Sequence, residues 1–212
     1  NTSTLNGGAI ALTITGNAVV NGAITNVSTL SVSGTSSLGA DVTTSGTQTY
    51  SGAVTISGTG TRTLTGTTVT NTSTLNGGAI ALTITGNAVV NGAITSVSTL
   101  SVSGTSSIGA DISTTDTQAY TGAVTINGAT RTLTTTGDNV TFSSTVNSDA
   151  GGARGLTIAT GTAATVQFNG VVGGTYALAA IQITGTSAAL DLNAAILNGA
   201  SAAGAASLSV SG

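Results

Sequence analysis

Asn1-Thr-Ser-Thr-Leu-Asn-Gly-Gly-Ala-Ile-Ala-Leu-Thr-Ile-Thr-Gly-Asn-Ala-Val-Val-Asn-Gly-Ala-Ile-Thr25 recurs without a change from Asn71 to Thr95, an offset of 70. Inside it, short apolar beats alternate with hydroxyl residues, as in Leu12-Thr-Ile14 and Ala18-Val-Val20, which is the period of a half-buried strand. Between the beats stand Asn-Gly pairs starting at Asn6 and Asn21, residues that tolerate the left-handed backbone of tight corners. The same texture continues outward through Leu30-Ser-Val32, Leu38 to Val42 and Val54-Thr-Ile56, and further Asn-Gly pairs start at Asn76, Asn91, Asn127, Asn169 and Asn198.

A fixed internal period is the first thing to settle, because it changes the whole reading. Residues 1 to 58 differ from residues 71 to 128 at nine positions, among them Asn26 against Ser96, Leu38 against Ile108, Val42 against Ile112 and Ser51 against Thr121. Most of these swaps keep shape or polarity. A looser third copy follows: Val140 to Asn147 echoes Val69 to Asn76, Leu156 to Ile158 echoes Leu82 to Ile84, and Asn169 to Val172 echoes Asn91 to Ile94. The offset drifts upward, so this copy contains insertions. Leu208 to Gly212 repeats Leu30 to Gly34 and Leu100 to Gly104. The expected organisation is therefore repeat 1 over 1–70, repeat 2 over 71–139 and a divergent, expanded repeat 3 over 140–212, forming one continuous rod cut from a longer array.

Composition narrows the fold and the chemistry together. The 212 residues hold 45 Thr, 25 Ser and 31 Gly, nearly half the chain, with no Pro, Cys, Met, Trp or His. Mean hydropathy is +0.42 and the formal net charge only -3, which disfavours disorder. No stretch of ten residues carries helical apolar spacing; the nearest, Ala188 to Ala206, is interrupted by Gly and Asn and reads as strand and turn. With 2% aromatic residues, a 70-residue sandwich would have a thin core, and propeller blades lack their usual Trp signatures. Stacked coils need only a narrow strip of small aliphatic residues, since the coils above and below supply the rest of the packing. The expectation is all-β: a parallel β-helix, or β-solenoid, with about three or four coils per 70-residue repeat at roughly 17 to 24 residues per coil.

The same composition closes most functional classes. Without Cys or His there are no thiolate or imidazole metal sites and no Ser-His-Asp triad. Three Arg and no Lys leave no phosphate-neutralising patch, so nucleic acid is excluded as a partner, and no apolar run is long enough for a membrane span. The absence of Lys also rules out Lys–Asn isopeptide staples.

Leu30 to Asp41, Thr47-Gln-Thr-Tyr-Ser-Gly-Ala-Val54, Arg62-Thr-Leu-Thr65 and Phe168 to Leu178 resemble the repeats of filamentous-haemagglutinin-like and autotransporter-like bacterial adhesins. The resemblance covers essentially the whole chain and rests on repeat texture, with no diagnostic motif. It implies a right-handed parallel β-helix, an extracellular or cell-surface location, and a shaft role in a large surface fibre. No functional residue is carried over from it.

Each candidate site has a plain competitor. Asp41 and Asp111 occupy equivalent places and could ligate calcium, but each reads better as a corner residue capping its own turn. Asp116, Asp138, Asp149 and Asp191 are too scattered for a carboxylate-pair hydrolase. Arg62, Arg131 and Arg154 read as solvated or sheet-edge residues that discourage edge pairing. Tyr50 and Tyr120, with Tyr176 as a third member, form either a glycan-stacking row or corner fillers with their hydroxyls at the surface. The Thr array Thr61 to Thr70 offers the hydroxyl-and-methyl geometry of an ice-binding face, although Thr is also simply β-prone. Asn-x-Ser/Thr triplets begin at Asn1, Asn26, Asn71 and Asn139. The resulting expectation is no catalytic, cofactor or metal site and no cofactor. The expected partners are further coils of the same chain or self-association along the rod, with a surface glycan or a neighbouring cell as the outside possibility. A glycan-, receptor- or ice-binding face is the alternative function; it requires one face carrying a regular side-chain ladder through all three copies.

Overall fold

A computed structural model describes residues 1–196 and 207–211. These residues contain 24 strands and no helix, and every strand pairing is parallel. Strands paired side by side lie one coil apart in sequence, which makes the fold a β-solenoid.

Each coil visits three faces in turn. On the first face the ladder runs Leu5, Ile24, Val42, Leu64, Ile84, Val102, Tyr120, Phe142, Phe168 and Leu192. The second face runs from Leu12 through Leu30, Gln48, Val69, Ala88 and Ser106 to Ile196. The third runs from Ala18 through Val54, Leu75, Ile94 and Leu133 to Val210. Ten rungs on each face give nine turns between the first and the last. At the usual strand spacing this is a rod of about 43 Å.

The strands form where they do because the chain keeps a six-residue beat. From Leu30 the inward positions fall at Leu30 and Val32, Ser36 and Leu38, Val42 and Thr44, Gln48 and Tyr50, Val54 and Ile56, all buried. The beats expected over Leu12–Ile14, Ala18–Val20, Leu30–Val32 and Val54–Ile56 are strands with those bounds. The run Leu38 to Val42 is different: it straddles a corner between Ser36–Leu38 and Val42–Thr44. Asn26 would break the beat by placing an amide inward. Instead it takes a left-handed conformation, φ 53°, and the bulge turns Val27 into the core.

Glycines of this beat mark the corners where coils approach most closely. At the corner between the first and second faces, a Cβ on Gly104 would lie 2.5 Å from the Asn87 side chain and 2.6 Å from the backbone of Gly86 one coil below. A Cβ on Gly122 would lie 2.4 Å from the backbone of Gly104 in turn. The backbones stack there without room for side chains, which explains why turn residues in this chain are so often Gly.

Coil length grows along the chain. Rung-to-rung separation is 18 residues from Leu12 to Leu30 and 27 from Ile183 to Val210. The third copy absorbs its extra residues in corner loops. One of them, between Ser148 and Gly155, is pinned by Asp149, whose carboxylate accepts from Gly128 N at 2.8 Å, Gly151 N at 3.0 Å and Arg154 Nε at 3.1 Å. The Gly128 N–H and the Arg154 guanidinium hold the Asp149 carboxyl below its ordinary range. That contribution to stability is present at neutral pH and is lost as acid protonates the carboxylate. Of the Ala-rich stretch, Ala189–Leu192 is a strand; residues 197–206, with Asn198, lie outside the described residues.

The 70-residue repeat does not contain a whole number of coils. Between Leu5 and Leu75 the chain takes eleven strand steps, since Arg62–Asn71 rounds a corner and serves two faces. Three steps make a coil, so one repeat is three and two-thirds coils. Equivalent residues therefore land on different faces. Leu12 is on the second face, Leu82 on the first and Leu156, its third-copy counterpart, on the third. Leu5, Leu75 and Val146 step in the same sense, from the first face to the third to the second.

Candidate functional site

The most structured group of polar side chains lies inside the rod. Gln118 is fully buried, its Nε2 donating to Thr134 O at 2.9 Å, while its Oε1 accepts from the Tyr120 hydroxyl at 2.9 Å. Thr114 Oγ1 stands 3.3 Å from the same amide. Seventy residues earlier, Gln48 Nε2 donates to Thr65 O at 2.7 Å and to Val42 O at 3.1 Å, and Tyr50 donates to Gln48 at 3.0 Å. The two knots have the same internal wiring although the repeat has carried them to different faces. In both, every strong polar atom is used within the coil stack, so the knot fixes register and presents nothing to solvent.

Tyr50 and Tyr120 are corrected accordingly: both fill the core as expected of packing residues, but their hydroxyls are buried and donate to Gln, and do not reach the surface. Tyr176 does not share their environment, being 38% exposed. The true neighbours of Tyr120 are Phe142 and Phe168 on the rungs above it, with ring centroids 5.3 Å and then 4.9 Å apart. Burial pushes the phenols of Tyr50 and Tyr120 far above their ordinary value of about 10. The unfolded chain releases these protons first, so stability is full below about pH 10 and falls as pH rises through and beyond it. A titration followed at the tyrosinate absorbance will show Tyr50 and Tyr120 ionising only together with loss of β-sheet circular dichroism. Ionisation of all three tyrosines with the sheet intact would refute this.

Asp41 and Asp111 do cap backbone, but not each its own turn. Asp41 Oδ1 accepts from Thr63 N at 2.9 Å and Asp111 Oδ1 from Thr132 N at 2.9 Å, both one coil further on. The coils are stacked closely enough that the nearest free N–H belongs to the next layer. Arg62 also departs from expectation. It is 6% exposed, takes an inward rung position opposite Leu82, and donates from Nη1 to Asp41 at 3.0 Å and from Nη2 to Ser57 O at 3.0 Å. Arg131 makes no ion pair in the equivalent place and instead donates to Asn127 O. Asp41→Asn is thus expected to lower stability by about 1 kcal/mol, and Asp111→Asn by much less, when chemical unfolding of the two variants is compared. Arg154 pairs with Asp149 at 3.1 Å.

The remaining candidates are not brought together. Asp116 is exposed, Asp138 offers its carbonyl to Thr135 Oγ1, and Asp191 accepts from Gln167. Among the described residues no three His, Cys, Asp or Glu side chains cluster in a metal-holding group, and no helix is long and apolar enough to cross a membrane. The Thr array is not one face: Thr63 and Thr65 pair along the first face, while Thr68 and Thr70 pair along the second, with Gly66 at the bend. Of the glycosylation triplets, Asn71 is buried and its amide donates to Ser73 O and Gly92 O. Asn26 is exposed on its bulge.

Two equivalent hydroxyls, Ser36 Oγ and Ser106 Oγ, are buried with no partner. Ser106→Ala removes an unsatisfied group at no packing cost and is expected to stabilise by up to about 1 kcal/mol in a urea titration.

What the arrangement offers outside is uniform. The outward residues between inward rungs are mostly hydroxyls on all three faces: Thr13, Ser31, Thr49 and Thr70 on the second, Ser37, Thr55 and Thr95 on the third, Thr83 and Ser101 on the first. No family model, no curated protein and no solved structure matches the chain.

Proposed function

We propose that this chain is a stretch of the shaft of a large bacterial extracellular fibre or surface adhesin, which it lengthens and stiffens by stacking β-coils. The observation that carries the reading is the continuity of three parallel ladders around one aliphatic core, from Leu5 to the last described strand. Such a core makes length proportional to coil number, and each backbone group along the ladder is held by the coil above or below. The scattered acids and the hydroxyl-covered exterior fit a load-bearing segment. The resemblance to large repeat adhesins supplies the extracellular setting.

A ligand-binding face, for glycan, receptor or ice, is the competing function. The repeat works against it, because copies of any one residue are dealt to three different faces. The test is immunogold labelling of the chain on intact source cells, with the purified chain screened on a glycan array. Label along surface filaments with no glycan binding is the expected result. Label confined to the cell interior, or saturable binding of one glycan class, would overturn the shaft reading.

A further inference from the structure

The three faces of the rod are alike, but its three corners are not. Of the three Arg and six Asp, all but Asp191 stand at the two corners that bound the third face. Asp111, Arg131, Asp149 and Arg154 lie where the chain passes from the second face to the third. Asp41, Arg62, Asp116 and Asp138 lie where it passes from the third to the first. The corner between the first and second faces carries no charge among the described residues. Internal bonds use up most of these groups: Asp41 is paired with Arg62, Asp149 with Arg154, and Asp111 accepts from Thr132 N. One cation and two anions are left over. Arg131 spends only Nε, on Asn127 O, and its Nη2 reaches over Gly128, 3.1 Å from where a Cβ would stand. The carboxylates of Asp116 and Asp138 have no partner among the described residues, and they stand one coil apart in matching register, since Gln118 pairs with Val140.

We propose that the third face is a pairing surface for a second copy of this chain, the two rods lying parallel and face to face, with Arg131 of each against Asp138 of the other. Both residues belong to one coil, and the strand Arg131–Thr134 crosses the third face between them. The face therefore has a basic edge and an acidic edge at the same height. A two-fold axis running along the rods between two such faces exchanges left and right and keeps height, so each edge meets the opposite charge and the contact closes on itself as a dimer. The partner's Asp116 lies one coil below its Asp138, within the acidic edge that Arg131 meets. A two-fold that reversed the rods would set basic edge on basic and acidic on acidic, so the charges also choose the parallel arrangement. Between the edges the outward side chains are short: Ser113, Thr134, Ala159 and Thr184 form one column and Thr132 and Thr157 begin a second. Such a surface lets two sheets approach to the usual packing distance of about 10 Å.

This inference deepens the shaft reading and rests on it for its purpose, since paired rods resist bending better than single ones, but its geometry is tested separately. The 212-residue chain is followed by sedimentation over a concentration series, with X-ray scattering for shape. The expected result is a dimer of doubled mass and unchanged length, whose dissociation constant rises about tenfold or more between about 0.02 and 0.5 M salt. Arg131→Asp and Asp138→Arg are each expected to weaken pairing about tenfold or more, with the circular dichroism of the fold retained. An equimolar mixture of the two variants should pair as the parent does, because each introduced charge then faces its opposite and the native Asp138 of one faces the native Arg131 of the other. Damage to the fold would not be repaired by mixing, and the salt series on the unaltered chain stands without either variant. Monomers at every concentration up to about 1 mM, a dimer indifferent to salt, a dimer of twice the length, or folded variants whose mixture pairs no better than either alone would each overturn the proposal. Cell-surface labelling is untouched by any of these results, so the shaft reading stands or falls apart from them.

Discussion

Phe142→Ala is expected to cost about 3–5 kcal/mol, the largest loss from any single truncation in the rod. Phe142 is fully buried and lies in a stack of three rings, nearly parallel to Tyr120 at 11° and to Phe168 at 6°. In a globular core neighbours partly collapse into such a hole. Here the rungs on either side are held at the strand spacing by the backbone ladder from Tyr120 through Phe142 to Phe168, so the cavity persists and two ring faces lose their contacts. Urea unfolding followed by circular dichroism would measure the loss, with Phe142→Leu falling between the parent and Ala. A loss under about 1 kcal/mol would mean that the stack can close up, and that the ladder is softer than its hydrogen bonds imply.

Gln118→Val is expected to destabilise by about 1–3 kcal/mol, and adding Tyr120→Phe should return most of that loss. The single change strands the Tyr120 hydroxyl, whose acceptor is Gln118 Oε1, and frees Thr134 O from its side-chain donor. The double change removes the stranded hydroxyl, leaving only the Thr134 and Ile112 carbonyls and Thr114 Oγ1 without the Gln118 amide, and creates the Val-x-Phe pair the rod already uses on the next rungs, Val140 with Phe142 and Val166 with Phe168. Those rungs lie on the same ladder, one and two coils further along, so the molecule contains both the polar and the apolar solution to a single packing problem. A double-mutant cycle reads the coupling directly. Additive losses would show that the Gln–Tyr contact carries no energy of its own.

How much of this was legible in the sequence depends on what kind of pattern carried it. The β-solenoid follows from the repeat at an offset of 70 residues and the beats at Leu12, Ala18, Leu30 and Val54, because alternation and Gly-rich corners are local. The six-residue beat is also present in the letters, in Leu30, Ser36, Val42, Gln48 and Val54, with Gly34, Gly46 and Gly52 in step. It is masked because Ser36 and Gln48 are polar and yet point inward. The aromatic stack was not legible, since Tyr120, Phe142 and Phe168 are 22 and 26 residues apart and occupy non-equivalent places in their repeats. Coil length had to be known before they could be aligned. The same holds for Arg62, which looks like a surface residue until the turn at Ser57 and the carboxylate of Asp41 are seen folded over it. Reading Tyr176 as the partner of Tyr50 and Tyr120 failed for the complementary reason. It matched residue type, whereas the ladder matches rung position.

The fractional coil count has a mechanical corollary. A solenoid whose repeats each closed on a whole turn would place every bulky rung and every tight glycine corner along the same side, and any small difference in their heights would add up to a bow. Here each duplication is laid on with a third of a turn of phase, as the strands of a rope are, so the short and tall sides exchange places and come back into line only after three repeats. Over those eleven coils, about 53 Å at the strand spacing, the local tilts point in three directions and cancel. A gene that grows by copying this unit gains length without gaining curvature.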